Sequence, residues 1–332
     1  MSEYSMTTRI TEGSRSNRYY RNAVERHWDP FDIDLSNDAD NFLNSTLLSI
    51  DPQEWGLDVS VEEGFDSFRQ SIAMFGAGED AVTEDLSPLA VVLEDMDDQM
   101  FITTQLYEEA KHAEFFDRYW KEVIHTIEDE KGWERTDPRD PKWFPEPYLE
   151  LFERNKEATH RLLTDDTVEN RAIAYCHYHM TIEGVLAQSG YYGLQTLFGD
   201  DEIAFMPVLP GLDEGISNIR SDEGRHVGFG MSKLKDYVES GQVDPALIEE
   251  TLDELVELVV EALSTYDEDD QADEEEIEEV LEQLGIDGSI SPGENVDVPN
   301  YARQKHGERM NQILTATEDI PDVDSLTTIS SD

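Results

Sequence analysis

Two segments of the chain, Glu108-Glu109-Ala110-Lys111-His112 and Asp222-Glu223-Gly224-Arg225-His226, place a glutamate three residues ahead of a histidine. On a helix, residues i and i+3 lie on one face, so each pair can offer a carboxylate oxygen and an imidazole nitrogen to the same cation. A single pair of this kind is common on solvated helix faces in a glutamate-rich chain. Two copies more than a hundred residues apart are a much stronger constraint, because they ask the fold to bring two long helices face to face around one site.

Two further glutamates meet that demand. Glu79 lies in Phe75-Gly76-Ala77-Gly78-Glu79-Asp80-Ala81-Val82 and Glu183 in Met180-Thr181-Ile182-Glu183-Gly184-Val185-Leu186, both in apolar surroundings. A carboxylate buried without a partner is costly, and metal coordination offsets its desolvation. One glutamate from each of two helices and a Glu-x-x-His pair from each of two others is the ligand pattern of ferritin-like dinuclear carboxylate proteins. The expected ligand set is therefore Glu79, Glu109, His112, Glu183, Glu223 and His226. Oxygen-rich sites with one histidine per metal suit iron or manganese better than zinc or copper, so redox chemistry with O₂ follows. Asp222 is either a surface acid or a carboxylate that orients a metal-bound imidazole.

The rest of the chain supports an all-α fold. Apolar residues recur at helical spacing over roughly 61–85, 88–125, 148–163, 167–198, 206–238 and 245–266, and a last helix is expected to include Tyr301 to Leu314. Ser87-Pro88 can open a helix, and Pro138, Pro141, Pro145 and Pro147 mark a long connection. We expect a four-helix bundle with additional helices and a dinuclear metal centre in its core. Residues 1–60 read as an irregular N-terminal arm, 61–266 as the metal-binding bundle, and 267–332 as an acidic insert with a C-terminal extension.

Charge narrows the partners. With 77 acidic against 24 basic residues the formal net charge is −53, which opposes attraction to nucleic acid and to anionic lipid. Residues 267–279 hold ten carboxylates, so −43 is spread over the remainder. Acid at this density fits a very salty cytosol, where the Debye length falls to about 3 Å at molar salt and self-repulsion is screened. A halophilic source is expected. One cysteine, Cys176, allows no intramolecular disulfide, and no apolar run reads as a signal peptide or a membrane span. A cytoplasmic protein without stable membrane insertion is the expectation.

At these motifs the sequence resembles the small subunit of ribonucleotide reductase and, more closely, its relatives the ligand-binding oxidases, in their halophilic archaeal form. The resemblance covers roughly residues 20–265, from His27-Trp28-Asp29-Pro30 through Gly78-Glu79-Asp80-Ala81-Val82-Thr83 to Asp222-Glu223-Gly224-Arg225-His226. It implies a homodimer with a mixed manganese/iron centre, di-iron being the variant form, and a long-chain fatty acid bound over the metals. It also implies use of O₂ for two-electron C–H oxidation, including an ether link between a valine and a tyrosine. The matching positions are Val82 and Tyr178. By the same resemblance Glu79, Glu109 and His112 hold manganese, Glu183, Glu223 and His226 hold iron, and Glu109 bridges; spacing alone gives no metal identity.

Geometry accounts for half of that pair. Val82 follows Glu79 by three residues and shares its helical face. Tyr178 precedes Glu183 by five, about 140° away around an ideal helix, so its placement requires a distorted helix or a long reach. His179, four residues before Glu183, is better placed by spacing, and reads as a hydrogen-bonded histidine near the site. Met74, Phe101, Leu106, Val185 and Leu186 are candidates to line a ligand pocket.

Two alternatives stand beside this reading. A true reductase small subunit would dock a large subunit and relay a radical. Phe116 occupies the usual place of its radical tyrosine, four residues after His112, and the last aromatic residue is Tyr301. A non-enzymatic metal or lipid carrier on the same scaffold would bind metal without consuming O₂.

Overall fold

A capping box starts the first long helix of the bundle. Ser60 Oγ accepts from the Glu63 amide at 3.2 Å, while the Glu63 carboxylate accepts from the Ser60 amide at 2.8 Å. The computed structural model describes residues 10–55, 60–199, 206–264 and 297–315, together with 320, 321, 323 and 326. The acidic run 267–279, the amphipathic stretch that follows it and the turn at 285–293 lie outside the described residues.

Eight helices carry the argument: α1 (Arg15–Glu25), α2 (Val61–Asp85), α3 (Met96–Tyr119), α4 (Glu146–Arg161), α5, α6 (Pro210–Glu239), α7 (Pro245–Ser264) and α8 (Val298–Leu314). Helix α5 runs unbroken through three parts: Val168–Tyr175, a π-helical stretch Cys176–Ala187, and Gln188–Phe198. Among the described residues every regular element is helical. The fold is a ferritin-like bundle whose core is α2, α3, α5 and α6, with α1 laid across α3 and α6, and α4, α7 and α8 packed around α5. No helix among the described residues is long and apolar enough to cross a membrane.

Two stretches differ from their sequence reading. The expected helix over 88–125 is instead a short helix, Ser87–Val92, a break, and then α3. Leu93 and Asp95 are extended, and Asp97 and Asp98 sit in the first turn of α3, where its dipole favours negative charge. Thr11 and Ser14 donate to Asp97, and Ser16 and Lys233 to Asp98, which secures the break. The N-terminal segment read as irregular contains α1, capped by Ser14, whose Oγ accepts from the Asn17 amide. Its buried face is only Ser16, Tyr19 and Ala23, so the apolar period is too thin to register in a sequence scan.

The π-helical stretch of α5 is the local feature that matters most for the site. In a π-helix the bonds run i to i+5, so residues five apart share a face. Thr181 Oγ1 donates to the Cys176 carbonyl five residues back. Gly184 lies close over the His179 carbonyl, 2.9 Å from where a Cβ would be, and Gly230 on α6 lets the His179 side chain pack directly against its backbone.

Candidate metal centre

The four core helices bring all six predicted ligand residues into one buried cluster. They form two overlapping groups, Glu79, Glu109, His112 and Glu223, and Glu109, Glu183 and His226, with the ligand atoms of each group within 4.8 Å of one another. His112 Nδ1 lies 3.5 Å from an oxygen of each of Glu79, Glu109 and Glu223. His226 Nδ1 lies 3.1 Å from Glu109, 3.4 Å from Glu183 and 3.4 Å from Glu223. Glu109 and Glu223 each turn one oxygen toward each histidine, so both carboxylates span the two groups.

The donors fit a pair of cations. His112 Nδ1, His226 Nδ1, Glu183 Oε2 and Glu223 Oε2 are buried without a hydrogen-bond partner, which is costly unless something positive sits between them. Burial pushes Glu79 up to about 7, and raises Glu183 and Glu223, which the neighbouring carboxylates raise further. Burial would also raise Glu109, but the two imidazoles outweigh it and hold that carboxyl well below its usual range. Both histidines are held well above theirs, because the surrounding carboxylates overcome burial. One imidazole per group among carboxylates is a donor set for iron or manganese.

The far side of each imidazole is fixed by the other motif. His112 Nε2 is 3.1 Å from Asp222, and His226 Nε2 is 2.9 Å from Glu108. Each motif's acid, one residue ahead of its glutamate, thus orients the histidine on the opposite helix. Arg225 joins the two acids, contacting Glu108 at 2.5 Å and also Asp222. Trp28 and Lys111 donate to Asp222 at 2.8 and 2.7 Å, and the Trp28 ring stacks on His112 at 6.1 Å. Sequence reasoning weighed Asp222 but passed over Glu108; the signal was the acid standing ahead of the glutamate in both motifs.

Tyr178 reaches the cluster. Its hydroxyl donates to Glu109 at 3.0 Å, placed there by the π-helical register. His179 stays outside both groups: its Nε2 meets Gln105 Oε1 at 3.2 Å, and Gln105 donates to Glu183 at 2.8 Å. Tyr191, not singled out from sequence, donates to Glu79 at 2.9 Å. Phe116 is buried and stacks on Phe75.

A cavity of about 310 Å³ opens onto the cluster, and Glu79, Glu109, Glu183 and Glu223 form its inner end. Val82 lines it beside Glu79, and its outer parts are apolar, reaching Leu197 on α5 and Leu263 and Val298 on α7 and α8. Met74 and Leu186 line it as expected, whereas Phe101, Leu106 and Val185 are not among its lining residues. Among the described residues, no lysine, arginine or histidine lines it.

No family model matches the chain. Among solved structures, it is similar to an R2-like ligand-binding oxidase with aerobically reconstituted metal cofactor after photoconversion, at 27% identity and TM-score 0.71, over 92% of this chain and 95% of that chain. Two single-residue variants of such an oxidase, with aerobically reconstituted Mn/Fe cofactor, match over the same shares at 27% identity with TM-scores of 0.70 and 0.71. These neighbours are R2-like ligand-binding oxidases. Two of these neighbours carry an Mn/Fe cofactor, and the buried carboxylate and histidine cluster described above could hold a dinuclear metal site.

Proposed function

We propose that this chain is an O₂-activating oxidase with a manganese/iron centre, held by Glu79, Glu109, His112, Glu183, Glu223 and His226, that performs two-electron oxidation of C–H bonds. The observation carrying this reading is one cavity that joins the four metal-facing carboxylates to the Val82 side chain, with the Tyr178 hydroxyl on Glu109. Bound manganese and iron supply the electrons and the Lewis acidity that O₂ reduction needs. The likeness to the R2-like oxidases supports the metal pair, and the donor set agrees with it.

The protein's own groups then have defined tasks. Glu108, Asp222 and Arg225 hold the imidazoles in one orientation, and Gln105 and Tyr191 fix Glu183 and Glu79. Glu109 is the nearest base to the Tyr178 proton. The apolar wall excludes water and presents aliphatic C–H bonds, its own Val82 among them, to the carboxylate end of the cavity. In the cross-link a Val82 C–H and the Tyr178 O–H are lost, a C–O bond forms, and two electrons and two protons pass to O₂. A long-chain fatty acid suits the apolar cavity, and with no cationic side chain among the described residues of its walls the acid's head group would face the metals. A cytoplasmic homodimer is part of the same proposal.

The test is peptide mass spectrometry after anaerobic loading with manganese and iron and then exposure to air. A joined Val82/Tyr178 peptide lighter by two hydrogens is the expected product. Separate intact peptides at full metal occupancy would overturn the cross-link, and metal binding without O₂ uptake would point to a carrier. Phe116 lacks the phenol that a radical-storing reductase subunit places at this position, and so favours the oxidase.

A further inference from the structure

A marked departure from the chain's acidity lies on α1. Residues 15–26 contain four of the 24 basic residues, Arg15, Arg18, Arg21 and Arg26, against the single acid Glu25, a local net of +3 in a chain of −53. Arg18 and Arg21 are exposed. Among the described residues no carboxylate lies within ion-pair distance of Arg18, which donates instead to the Gly13 carbonyl. Arg21 meets Glu25 only at 3.4 Å, with both side chains more than half exposed, a contact of little worth. Among the described residues, Arg18 and Arg21 thus lack a close, buried ion pair in a chain with 77 acidic residues.

The patch also carries exposed apolar surface. Val24 is 48% exposed and Tyr107, on α3 beside α1, is 54% exposed, with the His27 ring 5.9 Å from it. Arginine and tyrosine together are the composition of interface cores. Directly beneath, Lys111 lies over both the Trp28 and Tyr107 rings, and Trp28 stacks on His112. A chain of contacts, Tyr107 to Lys111 to Trp28 to His112, thus links the patch to the candidate metal cluster.

We propose that this face of α1, with His27 and Tyr107, docks an acidic one-electron carrier protein that returns reducing equivalents to the centre. The electron-transfer half rests on the oxidase reading above; the docking half does not. A compact acidic partner can touch the patch alone, whereas an extended polyanion such as nucleic acid would run onto the acidic remainder of the surface. The reduced carrier would give up one electron per encounter to metal held by Glu79, Glu109, His112, Glu183, Glu223 and His226, with no bond made or broken, so two encounters would restore a centre oxidised by two electrons.

The probe is an acidic [2Fe–2S] ferredoxin, titrated into the full-length metal-free chain by calorimetry at low and moderate salt. Saturable, salt-weakened binding is expected, reduced about tenfold or more in Arg18→Glu/Arg21→Glu. Arg135→Glu/Arg139→Glu changes the net charge identically at exposed positions outside the patch, and should alter the affinity less than about twofold. Equal weakening by both pairs, no saturable binding, or tighter patch-dependent binding of a DNA duplex or phosphatidylglycerol vesicles would each overturn the proposal. With metal-loaded, air-oxidised protein, reduced ferredoxin should be reoxidised, as its visible absorbance shows, and more slowly by the Arg18→Glu/Arg21→Glu protein. Patch-dependent binding without reoxidation by a protein that still consumes O₂ overturns the carrier assignment. Loss of O₂ consumption as well locates the failure in the oxidase reading.

Discussion

Helices α2 and α5 each give the cluster one glutamate and one side chain proposed to react, yet they do it with different backbones. On α2, Glu79 and Val82 share a face at the ordinary i, i+3 spacing, and both line the cavity. On α5, Tyr178 and Glu183 are five apart, and the π-helical stretch brings both to the carboxylate cluster. A regular helix can be laid over a sequence and its faces read off. A π-helix changes which residues are neighbours without leaving a compositional mark.

The largest expected effect tests whether the two halves share a centre at all. Glu109→Ala should remove both metal ions, because Glu109 belongs to both groups, whereas Glu79→Ala or Glu183→Ala should each spare one; metal content by mass spectrometry reads the difference. Retention of one ion or both in Glu109→Ala would overturn the shared role of Glu109, and loss of both in Glu79→Ala or Glu183→Ala would show that the two positions fill only together.

Next comes the support behind the imidazoles. Arg225→Met should weaken both metal positions, roughly 10–100-fold, because Arg225 contacts both orienting acids. Glu108→Gln should act mainly on the His226 side and Asp222→Asn on the His112 side, as competition with a chelator would show.

Acid should find the α5 half first. Burial pushes His177 down to about 4, so on lowering the pH the unfolded chain takes up a proton near 6.5 while the folded chain does not until about 4. Stability from this residue is whole above 6.5 and falls by roughly 2–3 kcal/mol between the two values. His177→Gln should flatten that part of the pH profile of denaturant midpoints; an unchanged slope would exonerate His177.

The finest comparison uses one substitution with opposite signs. Gly184→Ala on α5 meets backbone at 2.9 Å and should cost about 1–3 kcal/mol, loosening Tyr178 from Glu109. Gly64→Ala on α2 meets open space within an ordinary helix, and should stabilise by about 0.5–1 kcal/mol. Chemical denaturation of the metal-free proteins measures both.

The same contrast explains how far the sequence could be read. The bundle and the convergence of Glu79, Glu109, His112, Glu183, Glu223 and His226 were legible because α2, α3 and α6 are regular where they meet the site. The reach of Tyr178 needed the distortion that its spacing already demanded, but nothing in Cys176–Ala187 announces a π-helix. Glu108 was hidden by abundance, one acid among 77. Helix α1 was hidden by its thin buried face, and Tyr191 because its contact with Glu79 spans 112 residues of chain.

The crossed support of the two histidines has a consequence for how such a chain can change over generations. Glu108 belongs to the first motif but serves the second, Asp222 does the reverse, and Arg225 ties them together. Neither motif can be tuned for a different metal in isolation, since a mutation in one alters the ion gripped by the other. The two segments, more than a hundred residues apart, behave as one heritable unit, and drift in either must be answered across the bundle.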